Sequence, residues 1–340
     1  MSRVAAETYQ RVATLPLEVE SYELQRLEQP VTRGFTRVTT LVRLEGGSEE
    51  GLGEDVTWFP DAHDRELSAG PVLPLAGSWT LDSFSTGLEI PEPHRRWAYE
   101  SAALDLALRQ AGRSLAEAVA RDPRPVTFVV SPGLGEPPSS EPVRRLLELY
   151  PGQRFKLDPS SDWSDELIAE LAATGAVVTV DMKAFYAADG PPPDVELYRR
   201  VAEAFPDAWI EDPALTDETE RVLASHRDRI SWDAPIHSVA DVQSLAFPPR
   251  TLNSKPSRFG SLRGLLDFYD WTEAKGIGLY GGGMFELGPG RGQIQYLASL
   301  FHPEAPNDVA PGGYNAPEPR PGLPPSPLPP PSAAPGFRSV

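Results

Sequence analysis

The sequence predicts an α/β chain, a parallel barrel of alternating strands and helices preceded by a smaller α+β segment. Three observations lead there. From residue 126 onward, short apolar runs alternate with helical stretches, the pattern of parallel strands with helices packed outside. Seven such strands in roughly 180 residues suit a closed barrel better than an open doubly wound sheet, which is the alternative. No G-x-G-x-x-G or G-x-x-x-x-G-K-[ST] loop opens any of the helices, which counts against the open sheet.

Taken in order, residues 16–60 read as antiparallel β-structure. The stretch 35–44 is rich in β-branched residues, Glu45-Gly46-Gly47 follows as a turn, and a second strand is expected over 51–58. Residues 92–122 read as helix, with Trp97, Ser101, Leu104, Leu108 and Leu115 near helical spacing and Asp122-Pro123 closing it. The strands that follow are expected at 126–130, 154–157, 177–180, 208–210, 230–232, 251–254 and 277–280. Helices at 165–173, 195–204, 216–225 and 262–275 lie between them. After Asn315 the chain turns proline-rich, with ten of its 38 prolines in the last 24 residues. Lacking amide donors, that tail is expected to run extended or disordered, with a proline-rich ligand for a partner domain as a further reading.

Composition narrows the function. Thirty-one basic residues against 49 acidic ones give a net charge of −18. That balance speaks against a nucleic-acid binder or an anionic membrane surface as partner. There is no cysteine, so disulfides, thiolate nucleophiles and sulfur-ligated zinc are excluded, and any metal must be held by oxygen or imidazole. The N-terminal residues lack an apolar signal region and no apolar run approaches 18 residues, so a soluble, cytoplasmic protein is expected.

The charged residues that close the strands are the most informative feature. Lys156, Asp181, Glu211, Asp233 and Lys255 follow one another at intervals of 25, 30, 22 and 22 residues, about one β/α unit each. In a parallel barrel the C-terminal strand ends converge on one mouth, so five remote residues meet in one pocket. Three carboxylates there cannot stay ionised side by side without compensation. A hard divalent cation with oxygen ligands is the simplest one, and magnesium suits it best, with Mn2+ as a substitute. Lysines beside a cation, partly desolvated, become usable bases near neutrality. Each residue also has a plain structural reading: Asp181 as a helix cap, Glu211 as a turn residue, Asp233 as a loop opener, the lysines as surface charges.

These residues resemble the enolase superfamily, in particular its muconate lactonizing enzyme and o-succinylbenzoate synthase branch. The resemblance runs from about Leu24 to Asn315 and is most specific between Lys156 and Glu286. Gly46-Gly47 to Gly53-Glu54 looks like the capping domain's strand-turn-strand with its G-x-G-E ending, and 99–107 looks like the helix leading into the barrel. The implied fold is a modified TIM barrel, (β/α)7β, over 126–315, with an α+β capping domain over 1–125 and the tail over 316–340. The implied metal ligands are Asp181, Glu211 of Ile210-Glu211-Asp212-Pro213, and Asp233. The implied lysines are Lys156, in the place of the K-x-K element, and Lys255 of Asn253-Ser254-Lys255-Pro256 on the sixth strand. Glu286 corresponds to the acidic residue after the seventh strand.

The implied chemistry is abstraction of the proton α to a substrate carboxylate through an enediolate, a lysine-and-magnesium pattern that is an established example of pKa tuning. It leads to isomerisation, epimerisation, cycloisomerisation or β-elimination. An acid-sugar dehydratase is an alternative, disfavoured by the absence of histidine from 277–280, and a methylaspartate-ammonia-lyase-like enzyme is another. From a different class, the chain could be a non-catalytic metal-binding scaffold working through its tail. Relatives are commonly oligomers, so a homo-oligomer is expected. Two departures stand out. Registering the second-strand motif as Lys156-Leu157-Asp158 puts Asp158 in the base position. Lys183 stands where the family usually has asparagine, as a third catalytic lysine, a contact to the substrate carboxylate or a salt bridge to a neighbouring ligand. His237, Tyr22 and Trp58 are candidates for lining the pocket, with packing or a structural loop role as the alternative for each.

Overall fold

The computed structural model describes residues 7–31, 35–186, 192–316, 318 and 320–338. Among them no helix is long and apolar enough to cross a membrane. The N-terminal part begins with a helix, Glu7–Ala13, and strand β1, Pro16–Val19. Then come β2, Ser21–Pro30, β3, Thr36–Gly46, and β4, Glu49–Asp55, which pair as an antiparallel meander. The β3–β4 turn is set by Gly47 and Ser48, both with positive φ, the two-residue mirror-image turn whose twist matches a hairpin. Strand β5, Gly77–Thr80, pairs antiparallel with β1.

The expected long helix over 92–122 is two helices, Pro93–Gln110 and Leu115–Val119. Gly112 takes a left-handed conformation between them, and Ser114 and Glu117 form a capping box that starts the second. Residues 97–108 of the first helix are buried without a break, so it has no solvent face over that stretch. Strand β4 lies directly on it. A Cβ on Gly51 would fall 2.1 Å from the Ala102 carbonyl oxygen, and one on Gly53 only 1.9 Å from that of Ala98. Those two glycines are what let strand and helix touch backbone to backbone.

The parallel strands are β6, Val129–Val130, β7, Arg154–Leu157, β8, Val177–Asp181, β9, Trp209–Glu211, and β10, Ile230–Ser231. They lie side by side in that order. Strands β11, Thr251–Ser254, and β12, Gly278–Gly281, form a further parallel pair. Backbone hydrogen bonds continue across the gaps. The Asn253 amide donates to the Trp232 carbonyl, that of Asp308 to Gly281 and that of Val129 to Asn307. The sequence-based strands over 154–157 and 251–254 match in both bounds; the first, expected over 126–130, shrinks to two residues.

Two buried carboxylates hold the N-terminal part against the second half. Glu54 accepts the amides of Leu287, Gly288 and Gly290 at 2.6, 2.9 and 3.0 Å, at the start of helix Pro289–Phe301. Glu100 accepts the amide of Leu262 at 2.7 Å, at the start of helix Leu262–Lys275. Both supply an anion where a helix leaves amides unpaired and its dipole is positive. These helix starts follow the C-terminal ends of β11 and β12, so the carboxylates place the N-terminal part on the same side as the strand-end charges.

The described residues of the proline-rich tail pack on the rest of the chain. Ser326 accepts the Phe128 amide, Leu328 exchanges backbone bonds with Val126, the Pro324 carbonyl accepts the Tyr314 hydroxyl, and Phe337 is fully buried. Asp105 accepts from the Phe337 amide at 2.7 Å and from the Arg338 guanidinium at 2.5 Å.

Candidate active site

Lys156, Asp181, Glu211, Asp233 and Lys255 sit at the C-terminal ends of β7 to β11, and the structure gathers all five. Each is buried. The Lys156 ammonium donates to Glu211 Oε1 at 2.6 Å and lies 3.0 Å from Asp181 Oδ2. The Lys255 ammonium donates to Asp233 Oδ2 at 2.8 Å. Burial alone would drive each lysine towards its neutral form. For Lys156 the fields of Asp181 and Glu211 win and hold it well above its ordinary value. For Lys255 burial wins, aided by the positive charge of Arg258, and it is held below the ordinary range despite Asp233.

The carboxylates are split in the same way. Burial and neighbouring acids push Glu211 up to about 8, although Lys156 opposes them. Burial would also raise Asp181, but Lys156 and Lys183 bring it down to about 2. Asp233 is buried too, yet Lys255 and Arg258 hold it well below the usual range. Asp181, Glu211 and Asp212 each offer an oxygen within 4.8 Å of the others, a grouping that fits a divalent cation. The sequence reading has Asp233 as third ligand where the compact trio has Asp212. The oxygens of Asp233 are taken by Lys255, by Arg258 at 2.6 Å and by the Tyr186 hydroxyl at 3.0 Å. Asp212 in turn accepts the amides of Asp233 and Ala234, so it shapes the loop as well.

Lys183 joins the cluster from the rim. Its ammonium lies 2.6 Å from Asp181 Oδ2 and 3.5 Å from Asp158 Oδ1, and its backbone takes φ 54°. Glu286 is buried beside Arg291, 3.2 Å away, and accepts the Met284 amide. Trp58 is half exposed and packs against Phe35 and Phe285, with the Arg37 guanidinium over its ring.

Two further candidates for lining the pocket, Tyr22 and His237, make contacts outside the charged cluster. Tyr22 is inside the N-terminal core, edge-on to Tyr99, with its hydroxyl accepting the Leu73 amide, because alternation along β2 turns it inward. His237 is exposed at the start of helix Val239–Gln243, where its amide donates to Asp241.

Sequence reasoning missed Arg258, Tyr186, Tyr280 and Asp212. Arg258 had a usable signal: the short helix Pro256–Phe259 puts it three residues beyond Lys255, on the same side. Tyr280 lies in the seventh strand and donates to Glu211 Oε2 at 2.7 Å.

With this geometry in place, the comparisons with known proteins decide the family. The profile described as the C-terminal domain of Domain of unknown function (DUF8230) matches residues 122–316, and its N-terminal counterpart matches residues 10–118. The chain belongs to the DUF8230 family. It is similar to an N-succinylamino acid racemase of Thermus thermophilus, 27% identical, covering 86% of each chain. It is also similar to the o-succinylbenzoate synthase of Bacillus subtilis, 28% identical, covering 86% of this chain and 85% of that one. Among solved structures, a muconate cycloisomerase from Pseudomonas fluorescens superimposes with a TM-score of 0.72 at 21% identity, covering 95% of this chain and 96% of that one. An enolase superfamily member from Listeria innocua does so at 0.64 and 21%, covering 87% and 86%. The structural likenesses establish the fold, mixed α/β with a parallel sheet. The enolase superfamily resemblance read from the sequence holds, and with it the general class, an enzyme of the lyase or isomerase kind.

Proposed function

We propose that this chain removes the proton α to the carboxylate of a small substrate, with Lys156 and Lys255 placed on either side of the reacting carbon. The observation that carries the reading is the convergence of two buried lysines, from β7 and β11, on one cluster of buried carboxylates. Asp181 and Glu211 would hold a divalent cation, Mg2+ or Mn2+, with the third carboxylate from Asp233 by resemblance or Asp212 by proximity. When bound, such a cation offsets the negative charge that develops on the substrate's oxygens. Lys255, held below its ordinary range, suits the proton-accepting role, and Lys156, held protonated by its acidic neighbours, suits proton return or charge stabilisation.

Two lysines on opposite faces support racemisation or epimerisation most directly, and an N-acylated amino acid is the first substrate to try, given the racemase among the relatives. β-Elimination is the second reading, with one lysine serving only as a cation. A dehydratase finds no support: β12 carries no histidine, and His302 is buried against Asn307 and Ser254. In the same reading the two parallel sheets close through Asn307–Asp308 into a (β/α)7β barrel, with residues 1–125 as cap.

The test is solvent exchange. Incubating the protein with Mg2+ and N-succinylamino acids in D2O should give α-deuteration, lost in Lys156→Ala and Lys255→Ala. Absence of exchange across a broad carboxylate panel would refute the proposal.

A further inference from the structure

Lys183 holds both oxygens of one carboxylate. Its backbone amide donates to Asp181 Oδ1 at 3.0 Å and its ammonium to Asp181 Oδ2 at 2.6 Å. Lys183 makes these two bonds from a left-handed backbone, φ 54°, which a lysine seldom adopts. Asp181 Oδ2 therefore carries two ammoniums, since Lys156 stands 3.0 Å away. The two differ in their freedom to leave. Lys156 is 2% exposed and also serves Glu211, whereas the Lys183 side chain is 36% exposed. Lys183 also has another acid within reach, Asp158 Oδ1 at 3.5 Å, and the Tyr186 ring 5.2 Å from its ammonium.

We propose that Lys183 is a positioning residue of the cation site: a tethered counter-ion that occupies Asp181 until a dication displaces its ammonium towards Asp158. The inference rests on the reading of Asp181 as a cation ligand. It has two physical consequences. The acidic cluster is already neutralised before the ion arrives, so it does not depend on the ion to stay folded. The ion must compete with an internal cation, so its apparent affinity is reduced by the fraction of molecules in which Asp181 is engaged.

The experiment is calorimetric titration of EDTA-stripped full-length protein with MgCl2, with melting temperatures taken with and without the ion. If Lys183 engages Asp181 in nine molecules of ten, Lys183→Met should bind Mg2+ about tenfold more tightly. The same variant should melt lower than wild type without Mg2+ and recover when Mg2+ is added, as linkage requires. Lys183→Arg, which keeps the charge, should stay close to wild type. Asp158→Asn should weaken Mg2+ binding more in the wild-type background than in Lys183→Met, because only the former has an ammonium to receive. A purely structural Lys183 would lower the melting temperature in both states without tightening Mg2+ binding. Equal or weaker Mg2+ affinity in Lys183→Met overturns the inference while leaving the proposed function standing. If neither wild type nor variant takes up Mg2+, both fall.

Discussion

Removing the Glu54 carboxylate tests how the N-terminal part is held over the strand ends. Glu54→Ala would strand three amides, that of buried Gly290 and those of part-buried Leu287 and Gly288, now bonded at 2.6–3.0 Å. An orphaned buried donor costs ~1–3 kcal/mol, and an anion at a helix start adds up to ~2 kcal/mol. Part of this returns, because burial and the charge of Glu286 push Glu54 above the usual carboxylate range, so its ionised form is already costly. A net loss of about 3–5 kcal/mol follows, the usual cost of breaking a buried charged contact from one side. At ~2.1 cal/mol/K per residue, 340 residues have an unfolding entropy near ~0.7 kcal/mol/K, so scanning calorimetry should show the Tm fall by roughly 4–7 °C. Glu54→Gln, which keeps one acceptor oxygen, should fall about half as far. A Glu54→Ala protein melting within a degree of wild type would refute the reasoning.

Gly53→Ala should cost more than ~3 kcal/mol or abolish soluble expression, because its Cβ would meet the Ala98 carbonyl; Gly152→Ala, with open space around it, is the control for yield and Tm. Lys255→Ala and Lys156→Ala should each reduce α-proton exchange by about 10²–10⁴-fold, measured by NMR in D2O. His302 is buried, and burial brings it down to about 4 from an ordinary 6.5. The unfolded chain therefore binds that proton first. The stabilisation is complete above about pH 6.5 and is lost as the pH falls towards 4. Between pH 7 and 4.5 urea denaturation should lose about 2–3 kcal/mol from this group, and His302→Gln should flatten the profile by that amount. Phe337→Ala should destabilise by ~3–5 kcal/mol, read by the same denaturation.

The parallel strands were legible as short runs alternating with helices, five of the seven closed by a charge, and those five residues, Lys156, Asp181, Glu211, Asp233 and Lys255, all arrive at one place. What escaped was set by contacts remote in sequence. Helix Pro289–Phe301 starts in a glycine-rich stretch with no capping side chain of its own; its cap is Glu54, more than two hundred residues upstream. Tyr22 shares the segment expected over the site, yet whether a strand residue faces in or out depends on register, which only the pairing with β3 fixes. Arg258 and Tyr186 both bond to Asp233, and nothing in the local sequence of either shows that partner. The ten late prolines suggested an extended or disordered arm, or a ligand for a partner domain. The residues between them carry much of the docking, a role that composition averages away.

Asp105 sits in the middle of an early helix, but two of its partners, Phe337 and Arg338, come 232 and 233 residues later. At ~5–20 residues per second, a nascent chain carries that carboxylate without them for roughly 10–50 s. Until residues 337 and 338 are made, Asp105 has Arg109 of its own helix beside it but lacks those two later donors. The contact closes a loop of 232 of the 340 residues, so a fusion or cleavage near residue 337 would disturb a helix made long before it.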